Sequence, residues 1–523
     1  MAVLQKGNVL YPFWGDSVNF IKGLDPLRLQ VASEAIYSTL LPGVTNLTNK
    51  IRYYGFYCWL IDLYFKKEKK GNRAEQNRFI RRAELMIAII MQSKRPDVTQ
   101  ITGSLFASNL VKENPTVYDL AAGADKDGSN KAVYWKHSSG AFGQYYYGAM
   151  SALSLVGEAR HEKGEVIFSV IDKPYQKVSG KGLAQAFDSG LTEEVRALFY
   201  DCIKRGKLSH EEIQKLIDYF SIDKVPTDSK EWELYVEMLC DIDYPGFLYE
   251  GDKPSHRRNT IRALIASAVD HDNEYGWKIY MNNCYKRKFS NKNDTDIGWY
   301  CYRLNEYWQF ACTLIFQGAL EYLESIQHEE YLQIFIDDFS TLIVNEFEVE
   351  QSISLEELFL FLKEEEETVA EKGGNRKNSP QLRAKCGIEL LLITYNNNKE
   401  HIEDLKSYFK SNRYMRSGDV TEGLSAIDNH VKLQLKDFVS YFIYQRILYR
   451  HHMVAIEKRG NGTEATNKFI IEDQIIRLVD IFEAQWTSPR MRALENLLVD
   501  LQVIDEYNRL TETHMNLLIY CGD

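Results

Sequence analysis

Leu40-Leu41-Pro42-Gly43-Val44-Thr45-Asn46-Leu47-Thr48 runs into Arg52-Tyr53-Tyr54-Gly55-Phe56-Tyr57-Cys58-Trp59-Leu60-Ile61, and the reading of this stretch decides the fold. Thr45 or Asn46 is placed to cap a helix, because a hydroxyl or amide oxygen accepts one of the orphan amide protons at a helix start. Beyond that cap Leu47, Ile51, Tyr54, Cys58, Ile61 and Phe65 fall at alternating four- and three-residue steps, one helical face. Tyr53, Phe56, Tyr57, Trp59 and Leu60 make the opposite face apolar as well, and a helix apolar all round is a buried one. Arg52, Asp62 and the tyrosine hydroxyls mark it as a core helix rather than a membrane span. A buried Arg52 requires a partner, for which Asp16, Glu34 and Asp62 are the candidates, and a structural ion pair is favoured over a ligand-binding arginine.

Working outward, a chain of 523 residues has room for several domains and a sizeable core. Charged residues at 26% and hydrophobic ones at 45% exclude a disordered chain. The net charge of -11 argues against wholesale binding to nucleic acid and leaves only local basic faces. The first six residues lack the features of a secretion signal, and no long charge-free apolar run occurs, so a cytoplasmic protein without a membrane partner is expected. Eight scattered cysteines with no C-x-x-C pair read as reduced thiols, with no disulfide framework and no zinc site.

The expected fold class is mostly α, a multi-helix assembly with one or two winged-helix-like units carrying short β-hairpins. Four stretches are marked out: an N-terminal helical domain (1–135), a winged-helix-like unit (136–190), a central helical domain (191–370), and a C-terminal helical domain (371–523) ending in a degenerate winged-helix-like unit. Helices are expected over 25–41, 76–91, 256–287 (one, or two joined near 270–272), 296–326 (a second internal helix), 424–458 and 471–486. Ser209 with Glu212 and Ser354 with Glu357 form capping boxes. Gly373-Gly374 to Ser379-Pro380 is the best candidate for a linker or flexible loop.

Between residues 140 and 190 the pattern is a helix ending Leu153-Ser154-Leu155-Val156, a charged hairpin tip with Arg160, His161 and Lys163, a strand at Val166 to Ile171, and a helix start at Ser179-Gly180-Lys181-Gly182. This order resembles the winged-helix fold of many bacterial regulators. Residues 491–514 repeat it in reduced form. There Leu501-Gln502-Val503-Ile504 matches the first helix end, the wing is almost absent, and His514 stands in place of the glycine.

No P-loop, H-E-x-x-H or G-x-S-x-G pattern is present. Asp241, Asp243, Glu250 and Lys253 form the best carboxylate cluster, but Gly251 occupies the place of the second acid that a metal-dependent nuclease needs. A polar turn is the favoured reading of that cluster. Asp270-His271-Asp272 points its side chains in different directions on a helix and needs distant partners to hold a metal. His451-His452 sits near a helix C-terminus, where an imidazole suits the dipole. No metal and no cofactor is expected. Candidate nucleic-acid contacts are Arg160, His161 and Lys163 at the wing tip, then Arg257, Arg258 and Arg262, and Lys286, Arg287 and Lys288, where basic side chains can hold phosphates. Surface solvation is the competing reading.

The aromatic opening Tyr11-Pro12-Phe13-Trp14, the 40–59 stretch and the 140–190 unit together resemble large helical components of bacterial multi-gene anti-phage defence systems. That resemblance implies a partner ATPase or nuclease from the same operon, with this chain as scaffold, sensor or adaptor. No catalytic residue carries over. The expected function is a non-enzymatic scaffold or sensor subunit that binds partner proteins and, through the wing, DNA. A divergent metal-dependent nuclease subunit and a DNA-binding regulator are the alternatives.

Overall fold

The computed structural model describes residues 5–6, 9–10, 19–20, 25–68, 71–98, 100–124, 134–161, 164–173, 178–240, 255–269, 276–350, 352–459, 464–487, 490–507, 509–513 and 517. The aromatic opening, Asp16, Asp270-His271-Asp272 and His514 lie outside them. Among the described residues the protein is mostly helical, with its strands in small sheets of two or three members. Among the described residues no helix is long and apolar enough to cross a membrane. Packing divides the chain into two compact units, each discontinuous in sequence: residues 36–300 with 488–523, and residues 1–35 with 301–487.

The first unit is built on the Arg52–Lys67 helix, in which every residue from 52 to 61 is buried. The burial matches expectation, but the helix starts later than the Thr45 or Asn46 cap requires. Thr45 and Thr48 close a turn of their own, with the Thr48 amide donating to the Thr45 carbonyl at 3.1 Å, and Leu47 is left exposed. The helix end is instead satisfied from far away, by the Asp500 carboxylate accepting from the Ile51 amide at 3.0 Å. Around it the rings form a continuous packing, with Tyr53 stacked on Tyr57 at 5.3 Å and Trp59 edge-on to Phe199 at 5.1 Å. Such pairs add about 0.5–1.5 kcal/mol each beyond the area they bury. Gly55 is required for a close approach, since a Cβ there would lie 2.2 Å from the Tyr235 hydroxyl.

In the same unit a π-helical turn, Phe142–Tyr146, leads into the helix Tyr147–Ala152, then the antiparallel strands Val156–Arg160 and Val166–Val170, then the helix Gly180–Ser189. Ser179 caps that last helix through the Gly182 amide. The expected helix–hairpin–helix order is therefore present. The helices ending near residues 153 and 501 share one backbone geometry at their ends. Ser154 and Gln502 both take positive φ, 52° and 57°, and the next amide reaches back five residues in each case, Leu155 to Met150 and Val503 to Leu498, both at 2.9 Å. This is the same six-to-one helix ending twice. After it, Ile171 donates to the Leu155 carbonyl and Thr511 to that of Val503; five residue pairs join the first hairpin, whereas Ile504 and Leu510 form a single bridge. The expected 256–287 segment is two helices, Ser255–Val269 and Trp277–Arg287.

In the other unit the core runs along residues 301–325 of the helix Asp294–Ser325, the expected second internal helix. The helix Pro380–Asn398 lies against it at close range, because Gly318 and Gly387 have no side chains to hold the backbones apart. A Cβ on Gly318 would lie 2.6 Å from the Pro380 carbonyl oxygen, and one on Gly387 would lie 2.8 Å from that of Ala311. The 373–380 stretch is a short turn between two helices of this unit, held by Asn378 and Arg383 donating to the carbonyls of Lys372, Gly373 and Asn375. Both capping boxes form as expected. The expected 424–458 helix is broken at residues 429–434, with helices Val420–Asp428 and Leu435–Tyr441 on either side of the break.

The helix expected over 471–486 is corrected. Residues Phe469–Glu472 and Ile475–Leu478 form an antiparallel hairpin, to which Glu329–Tyr331 adds a third strand. Asp473 and Gln474 both have positive φ, 51° and 63°. That is the turn whose twist matches two paired strands, and the β-branched Ile470-Ile471 and Ile475-Ile476 pairs favour it over a helix.

Candidate functional site

Buried ionisable groups mark where chemistry is concentrated. In the unit 36–300 with 488–523, Arg52 meets Glu231 in a two-pronged pair, Nε to Oε1 at 3.0 Å and Nη2 to Oε2 at 3.2 Å, and donates its third nitrogen to the Ser221 carbonyl. Glu231 is thus its partner, while Asp62 pairs with Lys66 and Asp16 lies outside the described residues; the Tyr235 hydroxyl donates to the same Glu231 carboxylate at 2.8 Å. Glu84 accepts from the amides of Phe142 and Ala141 at 2.7 and 3.0 Å and from the Tyr57 hydroxyl at 3.0 Å. Burial pushes its carboxyl up to about 7 against these stabilising donors. Asp500 is also pushed up to about 7 by burial, opposed by Lys50 at 2.6 Å.

In the unit 1–35 with 301–487, Glu306 accepts from the Ser33 hydroxyl at 2.6 Å and from the Thr487 amide at 3.0 Å, and burial raises its carboxyl. His451 donates through Nδ1 to the Pro26 carbonyl at 3.0 Å, since its Nε2 accepts from the Lys468 amide at 2.9 Å. Burial lowers that imidazole to about 4, so it is neutral. These groups fasten backbone and side chains of their own unit. Among the described residues no three His, Cys, Asp or Glu side chains gather as metal ligands, and the seven described cysteines are buried and form no disulfide with one another.

The hairpin does not project as a free wing. Its described end packs against residues 71–73: Glu165 donates its amide to the Gly71 carbonyl at 3.0 Å and accepts from the Arg73 amide at 3.0 Å. His161 is buried there, its ring 4.8 Å from Phe65 and its Nε2 3.3 Å from the Phe65 carbonyl. Arg160 is exposed at the strand end, and Lys163 lies outside the described residues. Arg257 is fully buried, its guanidinium donating to the carbonyls of Pro42, Met238 and Leu239. Arg258 and Arg262 are half-buried, Lys286 and Arg287 are exposed, and Lys288 is half-buried. The exposed candidate cations therefore sit at one position on the hairpin and at two adjacent positions on one helix end. Asp241, Asp243, Glu250 and Lys253 lie outside the described residues.

The sequence reading missed an open cleft of about 630 Å³ in the unit 1–35 with 301–487, lined by Lys406, Met415, Arg416, Glu422, Asn429 and Arg446 among others. Asp419 caps the helix Val420–Asp428 at its floor, accepting from the Thr421 and Glu422 amides at 2.9 and 3.2 Å and from the Arg416 amide at 2.7 Å. Arg446 comes from a π-helical segment, Phe442–Leu448. The one local signal for this place was Ser417-Gly418-Asp419 before an apolar run, a helix-start pattern that names the cap and not the cleft. Searches against protein-family models, curated proteins and solved structures find nothing that matches this chain.

Proposed function

We propose that this chain is a non-enzymatic scaffold or sensor subunit of a bacterial anti-phage defence complex, acting by binding to partner proteins. The observation that carries this reading is the use made of the buried charged groups. Arg52, Glu84, Arg257, Glu306, His451 and Asp500 each close on backbone or side chains of their own unit, which suits a rigid frame. The resemblance in the 40–59 stretch supplies the biological setting and the expected partner, an ATPase or nuclease of the same operon. On this reading residues 140–190 are a winged-helix-like unit and residues 491–513 a degenerate copy, supported by the shared helix ending at Ser154 and Gln502. DNA contact, where it occurs, runs through the exposed Arg160, Lys286 and Arg287.

The test is expression with the neighbouring genes. A complex of fixed stoichiometry, with no turnover of DNA or nucleotide by the isolated chain, is the expected result. Metal-dependent cleavage of DNA by the pure chain, lost in Asp243→Ala, would overturn it in favour of a nuclease. Salt-sensitive DNA binding lost in Arg160→Glu with Lys163→Glu, with no complex formed, would favour a DNA-binding regulator.

A further inference from the structure

The cleft over the Val420–Asp428 helix has the volume of a small-molecule site, which spans roughly 300–1,000 Å³. Its lining holds three cations, Lys406, Arg416 and Arg446, in a chain whose net charge is -11. Of its two carboxylates Asp419 is buried, and Glu422 is exposed and paired with Arg446. Asp419 is taken up by three amides and the Thr421 hydroxyl, and Glu422 accepts from the Gly418 amide at 2.7 Å and from Arg446 at 2.5 Å.

Arg416 is different. The carbonyls of Arg413 and Met415 hold its Nη1 at 2.9 and 2.7 Å, and among the described residues Nε and Nη2 have no partner. A guanidinium fixed on one side and open on the other is prepared for a tetrahedral oxyanion. Among the described residues Lys406 pairs with the exposed Glu403, a surface pair that holds it weakly. Met415 is 47% exposed beside these charges, and a thioether packs well on an aromatic face. The Asn429 amide is exposed on the cleft wall, with a donor and an acceptor to offer a base edge. The π-helical turn that delivers Arg446 is a rare conformation found often at functional sites.

We propose that this cleft binds a nucleotide-sized organic polyphosphate, its phosphates on Arg416 and Lys406 with Arg446 alongside, and its ring against Met415. Arg446 is paired with Glu422 and Asp419 is taken up by amides, so Arg416 and Lys406 are the two lining cations without a lining carboxylate, and two adjacent phosphates would meet them. The proposal rests on the sensor reading above and names what is sensed.

Calorimetric titration of the full chain with ATP, GTP and inorganic tripolyphosphate tests it. Saturable binding of at least one nucleotide is expected, weakened about tenfold or more by Arg416→Ala, since a hydrogen bond between charged groups is worth roughly 1.5–3 kcal/mol. Met415→Ala is expected to weaken nucleotide but leave tripolyphosphate unchanged. Both side chains are exposed, so the melting temperature of each variant should match the parent and exclude misfolding. Absence of saturable nucleotide binding, or binding indifferent to Arg416→Ala, would overturn the site. So would equal binding of tripolyphosphate and nucleotide by the parent chain. If the site fails while the chain still assembles with its neighbours, only the ligand proposal falls. If the pure chain binds and hydrolyses the nucleotide, the site stands and the non-enzymatic reading falls.

Discussion

Asp500 accepts a 3.0 Å hydrogen bond from the amide of Ile51, 449 positions earlier, at the start of the buried central helix. The same carboxylate holds Lys50 at 2.6 Å. A distant side chain thus does the work of a local N-cap, and the helix Met491–Asp500 becomes a condition for the order of the Arg52–Lys67 helix. Asp500→Ala removes the cap and leaves Lys50, with its side chain 11% exposed, without its partner. A loss of about 3–5 kcal/mol is expected, the cost of breaking a buried pair from one side. Asp500→Asn keeps an acceptor for the Ile51 amide and should lose less. Denaturant melts of the two variants check the order; equal losses would show that the cap contributes nothing.

The pH dependence of that unit follows from its buried acids. Glu84, Glu495 and Asp500 all stand near 7, each raised by burial, from ordinary values of 4.5 for the glutamates and 3.8 for the aspartate. The folded form therefore holds protons more tightly than the unfolded one across this window. Their stabilising effect is complete below the ordinary values and is lost as pH rises through about 7. His451 in the other unit runs the opposite way. Lowered from 6.5 to about 4, it contributes stability above 6.5 that disappears as pH falls through about 4. Thermal melts across this range should show the Asp500→Asn protein with a shallower decline toward neutral pH than the parent. An unchanged slope would contradict the assignment.

The hairpin tip predicts a packing defect that can be placed at one atom. A Cβ on Gly164 would lie 2.1 Å from the Gly71 carbonyl oxygen, the same oxygen that accepts the Glu165 amide. Gly164→Ala must therefore lift the tip from the corner at residues 71–73. A cost of about 1–3 kcal/mol is expected, as for other overpacked contacts. Hydrogen exchange at the Glu165 amide should accelerate, and His161 should become exposed. If the amide stays protected, the docked tip described above is wrong.

Legibility in the sequence divided along physical lines. The central helix was readable because its apolar residues repeat on both faces, and burial of residues 52–61 follows from that alone. The capping boxes at Ser209 and Ser354 were readable because donor and acceptor lie three residues apart. The Asp500 cap and the Arg52–Glu231 pair were not, since each joins residues far apart along the chain. The 471–486 error has a local cause: isoleucines around Asp473-Gln474 fit two periodicities, and the positive φ of two non-glycine residues leaves no mark in composition. The cleft was hidden for a third reason, because Lys406, Arg416 and Arg446 come from three separate segments, and no spacing rule connects them.

The Arg52–Glu231 pair allows its own energetic test. Two opposed charges in a buried place are expensive to desolvate, and their attraction repays this only when the remaining donors are also met. Here they are: Arg52 has Ser221 as well as Glu231, and Glu231 has Tyr235. Glu231→Leu should therefore destabilise by about 3–5 kcal/mol, because it strands the guanidinium beside the Phe187 ring, 5.2 Å away, with one carbonyl for company. Adding Arg52→Met to that variant removes the stranded charge. The double variant should recover much of the loss, with a remainder of about 1 kcal/mol set by the Tyr235 hydroxyl, which exchanges the Glu231 carboxylate for the residue-52 backbone carbonyl at 3.4 Å. Chemical melts of the four proteins complete a double-mutant cycle. If the two single losses simply add, Arg52 and Glu231 do not depend on each other, and the buried pair is not what fixes the central helix.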